Sequence, residues 1–138
     1  MPNQRVDREI RVTFDAETIK LYGGQGSGFH ASEEMARQRG YPGLVSWGSL
    51  TLLPFWELMA LVAGENWQIG GRLSVKLAKP VLAGDEVVYE ASLLDASPAA
   101  QNGDVYELSA TTIRNGIVAK GQAIIGLADG EQQPREGL

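Results

Sequence analysis

The sequence predicts an α+β domain in which a curved antiparallel sheet wraps around one long buried helix. Three observations predict it. The segment from Ser49 to Ala63 is apolar on every face, as in a helix buried all round. From Gln68 to Leu127 the pattern changes to period two, which is the spacing of strands. Turn signals at Ala83-Gly84-Asp85 and Asn115-Gly116 separate the strand segments, as expected for antiparallel neighbours.

The elements follow in chain order. Ile10, Val12 and Phe14 alternate with Glu9, Arg11 and Thr13, so Glu9 to Phe14 reads as a half-buried strand. Asp15 is placed to cap a short helix that reaches Tyr22 and stops at Gly23-Gly24. Residues 23–28 hold four glycines in six positions and read as loop. Ser32 can cap a second helix, Glu33 to Arg39, whose acids come first and bases last, in accord with the helix dipole. Gly40 ends it, and Tyr41-Pro42-Gly43 turns the chain. In the apolar segment Pro54 is tolerated only in a helix's first turn. The regular helix therefore either starts near Thr51 or kinks at Pro54, and Gly64 closes it.

Leu73, Val75 and Leu77 face one side of the next strand, and Arg72, Ser74 and Lys76 the other. Val87 to Leu94 is a further strand. The stretch from Asp95 to Asp104 contains Pro98 and Asn102-Gly103 and reads as loop. Val105 to Arg114 and Ile117 to Leu127 flank Asn115-Gly116, the signature of a two-residue hairpin. A single sheet covers only part of a helix that is apolar all round. The short helices or a second subunit must cover the rest, and a homodimer is the expectation.

At 138 residues the chain fits one domain, 1–138, with its ends, 1–8 and 128–138, expected to fray. Its net charge of −5 repels phosphate backbones, which argues against a nucleic-acid partner. No cysteine is present, so neither a disulfide framework nor a thiolate metal site is expected; the lone histidine excludes a multi-histidine centre within one chain. No metal and no cofactor are expected. The N-terminus lacks the apolar core of a signal peptide, and residues 40–64 read as a buried helix with its approach loop rather than a membrane span. The expected location is the cytoplasm, with no membrane partner.

Any proton chemistry centres on His30, because a histidine's ordinary pKa of about 6.5 lets it act as acid or base near neutrality. Glu57 is the only charged residue between Arg39 and Glu65, on a helix expected to be buried, where a carboxyl tends to stay protonated. Gly26-Ser27-Gly28-Phe29-His30-Ala31 spells a variant of a dinucleotide fingerprint but follows a helix instead of a strand, so it is set aside.

Two stretches carry a resemblance. Phe29-His30-Ala31-Ser32-Glu33-Glu34-Met35-Ala36, followed by Gly43 and by Trp47-Gly48 at the start of the apolar helix, resembles the MaoC-like hydratases and dehydratases. So does the run from Leu73 to Val87, with its Lys79-Pro80-Val81 and Gly84-Asp85-Glu86-Val87. The resemblance spans about Ile10 to Leu127 and implies the hot-dog fold. It also implies action on an enoyl or 3-hydroxyacyl thioester of coenzyme A or acyl-carrier protein. Carried over residue by residue, the family's histidine falls on His30 and its helix-opening glycine on Gly48. The family's loop aspartate falls on Gln25, its asparagine on Ser27 and its proline on Gly28. The histidine before the glycine becomes Trp47, and a helix serine falls at about Trp56.

Hydration of such a thioester needs a base, an acid and a donor to the enolate-like oxygen. The resemblance assigns His30 to proton transfer and the Gly48 N–H to the oxygen. Gln25 can hold water but cannot take its proton, and Glu57 is the alternative second acid. Ser27, Trp47 and Trp56 are the expected substrate contacts. Lys76 and Lys79 are either solvated strand lysines or contacts for coenzyme A phosphates. Two other readings stay open: a hot-dog thioesterase, cyclase or isomerase, and a non-catalytic acyl-ligand-binding partner subunit.

Overall fold

The computed structural model describes residues 6–22, 30, 32–96 and 103–126. Ten elements follow in order. They are β1 (Arg8–Thr13), α1 (Ala16–Tyr22), α2 (Glu33–Gln38), α3 (Gly48–Leu52), α4 (Pro54–Ala63), α5 (Glu65–Gln68), β2 (Arg72–Leu77), β3 (Glu86–Asp95), β4 (Val105–Thr112) and β5 (Gly116–Ile124). The strands form one antiparallel sheet in the order β1-β3-β4-β5-β2, so β1 and β2 are its edges. This is the α+β, hot-dog arrangement: α4 lies against the sheet, and Phe55, Leu58 and Met59 are fully buried among Tyr89, Leu108, Ala110 and Val118.

The predicted caps form. Asp15 Oδ1 accepts from the Thr18 amide at 2.8 Å, and Ser32 Oγ from the Met35 amide at 3.2 Å. The apolar segment takes the kinked alternative. It is two helices divided at Leu53, with Pro54 in the first turn of the second, where a missing N–H costs least. The expectation of burial on every face is corrected: Leu53, Trp56, Glu57 and Leu61 are exposed. In the single chain one sheet layer covers one side of α4, and nothing described covers the opposite side.

Three further expectations change. The fraying expected for 1–8 does not extend to Asp7 and Arg8, and residues 1–5 lie outside the described residues. The Asp7 amide donates to Ala91 O at 2.9 Å and its carboxylate accepts from Leu93 N at 2.6 Å, so the edge of β3 orders this segment. The Asn115-Gly116 hairpin is not a two-residue turn. Thr112 pairs with Gly116 around residues 113–115, and Gly116 takes a φ of +67°, which suits glycine. Asn115 is used elsewhere, donating through Nδ2 to Pro80 O at 3.0 Å. The short helix α5 was not foreseen; it seats Trp67 in the core. The C-terminal tail, 128–138, lies outside the described residues.

The break at Pro54 is repaired by a side chain. The buried Tyr89 hydroxyl donates to Thr51 O at 2.5 Å, beside the point where the helix is interrupted. Burial holds the Tyr89 phenol well above its ordinary value of 10.0. In the unfolded chain it titrates near 10. Above that pH the unfolded state loses a proton that the folded state keeps. Its contribution to stability is therefore intact below about pH 10 and declines above it, by about 1.4 kcal/mol per pH unit. Tyr89→Phe is expected to cost about 1–3 kcal/mol at pH 7, the cost of an unpaired buried carbonyl. It should also remove this residue's share of the alkaline decline. Urea melts between pH 7 and 11 measure both, and a wild-type-like midpoint at pH 7 would contradict the role given to the hydroxyl.

Candidate active site

The site is built where the approach to α3 meets the Pro80–Ala83 segment. Val45 forms an antiparallel bridge with Leu82. The Ser46 amide donates to Val81 O at 2.8 Å, and the Ala83 amide to Leu44 O at 2.9 Å. Asp85 holds the other side of this seam, accepting from the Leu82 amide at 3.0 Å and from Arg114 Nε at 3.2 Å. The Gly-Asp-Glu-Val run is thus a scaffold for the site and does not line the cleft that holds His30.

His30 is half-buried, and its ring is held by a hydrogen bond and a stacking contact among others. Nδ1 lies 2.9 Å from Val45 O. A carbonyl only accepts, so Nδ1 carries the hydrogen, which leaves Nε2 as the ring's other nitrogen. The ring also stacks on Trp47, with centroids 4.3 Å apart and planes 19° apart. Trp47 is itself held, its Nε1 donating to Ile19 O at 3.0 Å. Tyr22 adds a second tie between α1 and α3, its hydroxyl donating to Ser49 Oγ at 2.9 Å. The predicted substrate contact Trp47 thus packs against the His30 ring and is not among the residues lining the cleft around it.

Gly48 opens α3 directly after Trp47, and Trp47 offers no side-chain cap to the first turn. The leading N–H groups of a helix have no partner within it and carry partial positive charge. Gly48 and His30 share one cleft of about 250 Å³, with Tyr41, Ser46, Leu77 and Lys79 also in its walls. The buried Ser46 hydroxyl accepts from Thr51 Oγ1 at 2.9 Å. Sequence reading missed Tyr41 and Ser46. Neither sits in a spacing that marks a site, and only folding of the 41–48 segment brings them beside His30.

The other expected residues divide. Gln25 and Ser27 lie outside the described residues. Glu57 and Trp56 do not line this cleft. Both are on the exposed face of α4, where Trp56 packs against Trp67 with centroids 5.1 Å apart. The burial expected to make Glu57 a proton donor is absent in the single chain. Among the described residues, no three His, Asp or Glu side chains are arranged to hold a metal ion. No helix among them is long and apolar enough to cross a membrane.

No protein-family model and no curated protein matches this sequence. Solved structures do match in shape. The (R)-hydratase from A. caviae involved in PHA biosynthesis superposes with a TM-score of 0.71 at 18% identity, over 92% of this chain and 99% of that one. A MaoC-like dehydratase from Rhodospirillum rubrum gives 0.67 at 22% identity, over 91% of each chain. A chain of the ChsH1–ChsH2 complex from Mycobacterium tuberculosis gives 0.66 at 14% identity, over 91% of this chain and 99% of that one. The antiparallel sheet, the helix packed on it and these superpositions together give this chain the hot-dog fold of the MaoC-like dehydratases and (R)-hydratases.

Proposed function

We propose that this chain is a cytoplasmic hydro-lyase of the MaoC-like type, adding water to an enoyl thioester or eliminating it from a 3-hydroxyacyl thioester. The observation that carries the reading is the shared cleft of His30 and Gly48. It sets an imidazole, fixed through Nδ1 and by stacking, beside the first turn of α3. In this reading Nε2 of His30 exchanges the proton. The Gly48 N–H donates to the thioester oxygen as negative charge builds on it, a donor role worth about 10²–10³-fold in rate. Gln25 and Ser27, next to His30 in sequence, orient the water or the substrate, and Gln25 moves no proton itself. His30 then serves both proton transfers, with Glu57 no longer a candidate in the single chain.

The experiment is direct. Purified protein with crotonyl-CoA should lower the enoyl absorbance as water adds. Unchanged absorbance with release of free thiol would replace this reading with a thioesterase, and neither change would reject both.

A second reading rests on the exposed stripe of Leu53, Trp56 and Leu61 along α4. Such a stripe suits burial against another subunit. The ChsH1–ChsH2 neighbour is a chain of a two-protein complex, so the partner can be a different chain. We favour a homodimer. Sedimentation at micromolar concentration should then give about twice the chain mass of 14.9 kDa. A monomer that is inert with crotonyl-CoA would favour the partner-subunit reading.

A further inference from the structure

We propose that Ser46 is a catalytic residue of the cleft, its hydroxyl donating a hydrogen bond to the carbonyl oxygen of the bound ligand. It acts as a second donor beside the Gly48 amide. The inference deepens the hydro-lyase reading and rests on it for the ligand's class, an acyl thioester. The family resemblance assigns no role to position 46.

The first support is where Ser46 is held. Its amide donates to Val81 O at 2.8 Å, and the preceding Val45 bridges to Leu82. The backbone that carries the hydroxyl is therefore fixed by a second segment of the chain. Ser46 is 3% exposed, yet it borders the cleft shared by His30 and Gly48. A hydroxyl so placed meets little water that could compete for its hydrogen, and folding has already met the cost of drying it.

The second support is a count of hydrogens. Each hydroxyl has one hydrogen to give and two lone pairs to accept with. Thr51 Oγ1 lies 2.9 Å from Ser46 Oγ and 2.9 Å from Trp47 O, so its one hydrogen serves one of these two. Trp47 O already accepts from the Thr51 amide at 2.9 Å. The Ser46 hydroxyl contacts that same crowded carbonyl at 3.3 Å, beyond the usual O–H···O range of about 2.5–3.0 Å. Its hydrogen is thus weakly used within the protein, and an oxygen in the cleft offers a better partner. Donation from Thr51 to Ser46 Oγ polarises the Ser46 O–H and strengthens it as a donor.

The third support is the rest of the wall. Among the described residues that line the cleft there is no carboxylate to capture the Ser46 hydrogen. The Lys79 ammonium, on an exposed residue of this wall, is tethered to Asn115 O at 3.2 Å. Ser46 and Gly48 stand two positions apart at the entry to α3 and border the same space. The Ser46 hydroxyl supplies a hydrogen bond and transfers no proton.

The test reads the carbonyl itself. Butanoyl-CoA is saturated, so it can bind without being hydrated. Difference infrared spectra of its complex, with and without an isotope label at the carbonyl carbon, isolate the thioester C=O stretch. Donation to the oxygen weakens the C=O bond and lowers this frequency. Ser46→Ala is therefore expected to move the bound band to higher frequency than in wild type. The same variant should lower kcat for crotonyl-CoA hydration by about 10²-fold with KM nearly unchanged, because the donor counts most as charge builds on the oxygen. A purely structural serine would leave the band in place. Ser46→Ala should fold, because Thr51 Oγ1 keeps Trp47 O as its acceptor. If thermal melts show otherwise, Ser46→Cys, with its weaker S–H donor, is compared in its place. The same band in wild type and variant, or no bound band in wild type, overturns the proposal. The two readings fail separately. A shifted band without hydration of crotonyl-CoA keeps the donor and rejects the hydro-lyase; hydration with an unshifted band does the reverse.

Discussion

His30→Ala will lower kcat/KM for crotonyl-CoA hydration by about 10²–10⁴-fold, the usual worth of one positioned proton-transfer group. The loss should fall on kcat, since in the proposed reaction the imidazole serves the proton transfer and not the hold on the acyl carrier. Alanine also removes the donation to Val45 O and the stack on Trp47, so it alone does not separate chemistry from position. His30→Asn does. Its side-chain amide can still donate to the Val45 carbonyl, yet it cannot exchange a proton near neutral pH. Both variants should fold like wild type in thermal melts, because the ring is only half-buried. An asparagine variant that retains wild-type kcat would remove His30 from proton transfer and leave it a structural residue of the α3 approach.

Gly121→Ala is expected to destabilise the fold by about 4 kcal/mol or more, a range that single substitutions reach only through severe clashes or buried polar loss. Gly121 pairs with Val75 on one side and Leu108 on the other. A Cβ at this position would press on the Ser74 carbonyl oxygen and come within 2.6 Å of Val75 Cα. Both are backbone, so no rotamer change relieves the overlap, and β2 must move off β5. That movement would carry Leu77, Ala78 and Lys79 away from the cleft, so activity should fall with stability. Gly43→Ala is the matched control, since its Cβ meets nothing within 4 Å. A urea midpoint for Gly121→Ala close to that of Gly43→Ala would show that β2 and β5 pack less tightly than described.

Local signals in the sequence specified much of the architecture. Asp15 and Ser32 cap the helices they were expected to cap, because an N-cap is a contact across three residues. The alternation of Leu73, Val75 and Leu77 with Arg72, Ser74 and Lys76 sets which face of β2 turns inward, because side chains on a strand alternate whatever it pairs with. Pro54 was legible as a kink or a helix start but not as one of the two. In the folded chain Tyr89, 38 residues from Thr51, bonds the Thr51 carbonyl beside the break.

The site was legible only in part. His30 and Gly48 could be named from the resemblance of their surroundings, and they do share a cleft. Trp47 was named as a substrate contact, but nothing local shows that its ring would lie against the imidazole. The burial of Glu57 and Trp56 was misjudged because an all-apolar segment tells how much of a helix can be buried, not what is present to bury it.

By itself, then, the sequence determined the kind and order of the main elements, their caps, the inward faces of the strands and the single residue able to move a proton near neutral pH. These depend on backbone preferences and on periodicity within a few residues. The tertiary structure alone decided the strand order, the division at Pro54, the aim of His30 through Val45 and Trp47, and the tether of Lys79 to Asn115. Each of those is a contact between segments far apart in the chain. It forms only when the whole sheet closes on the helix, and no local pattern encodes it.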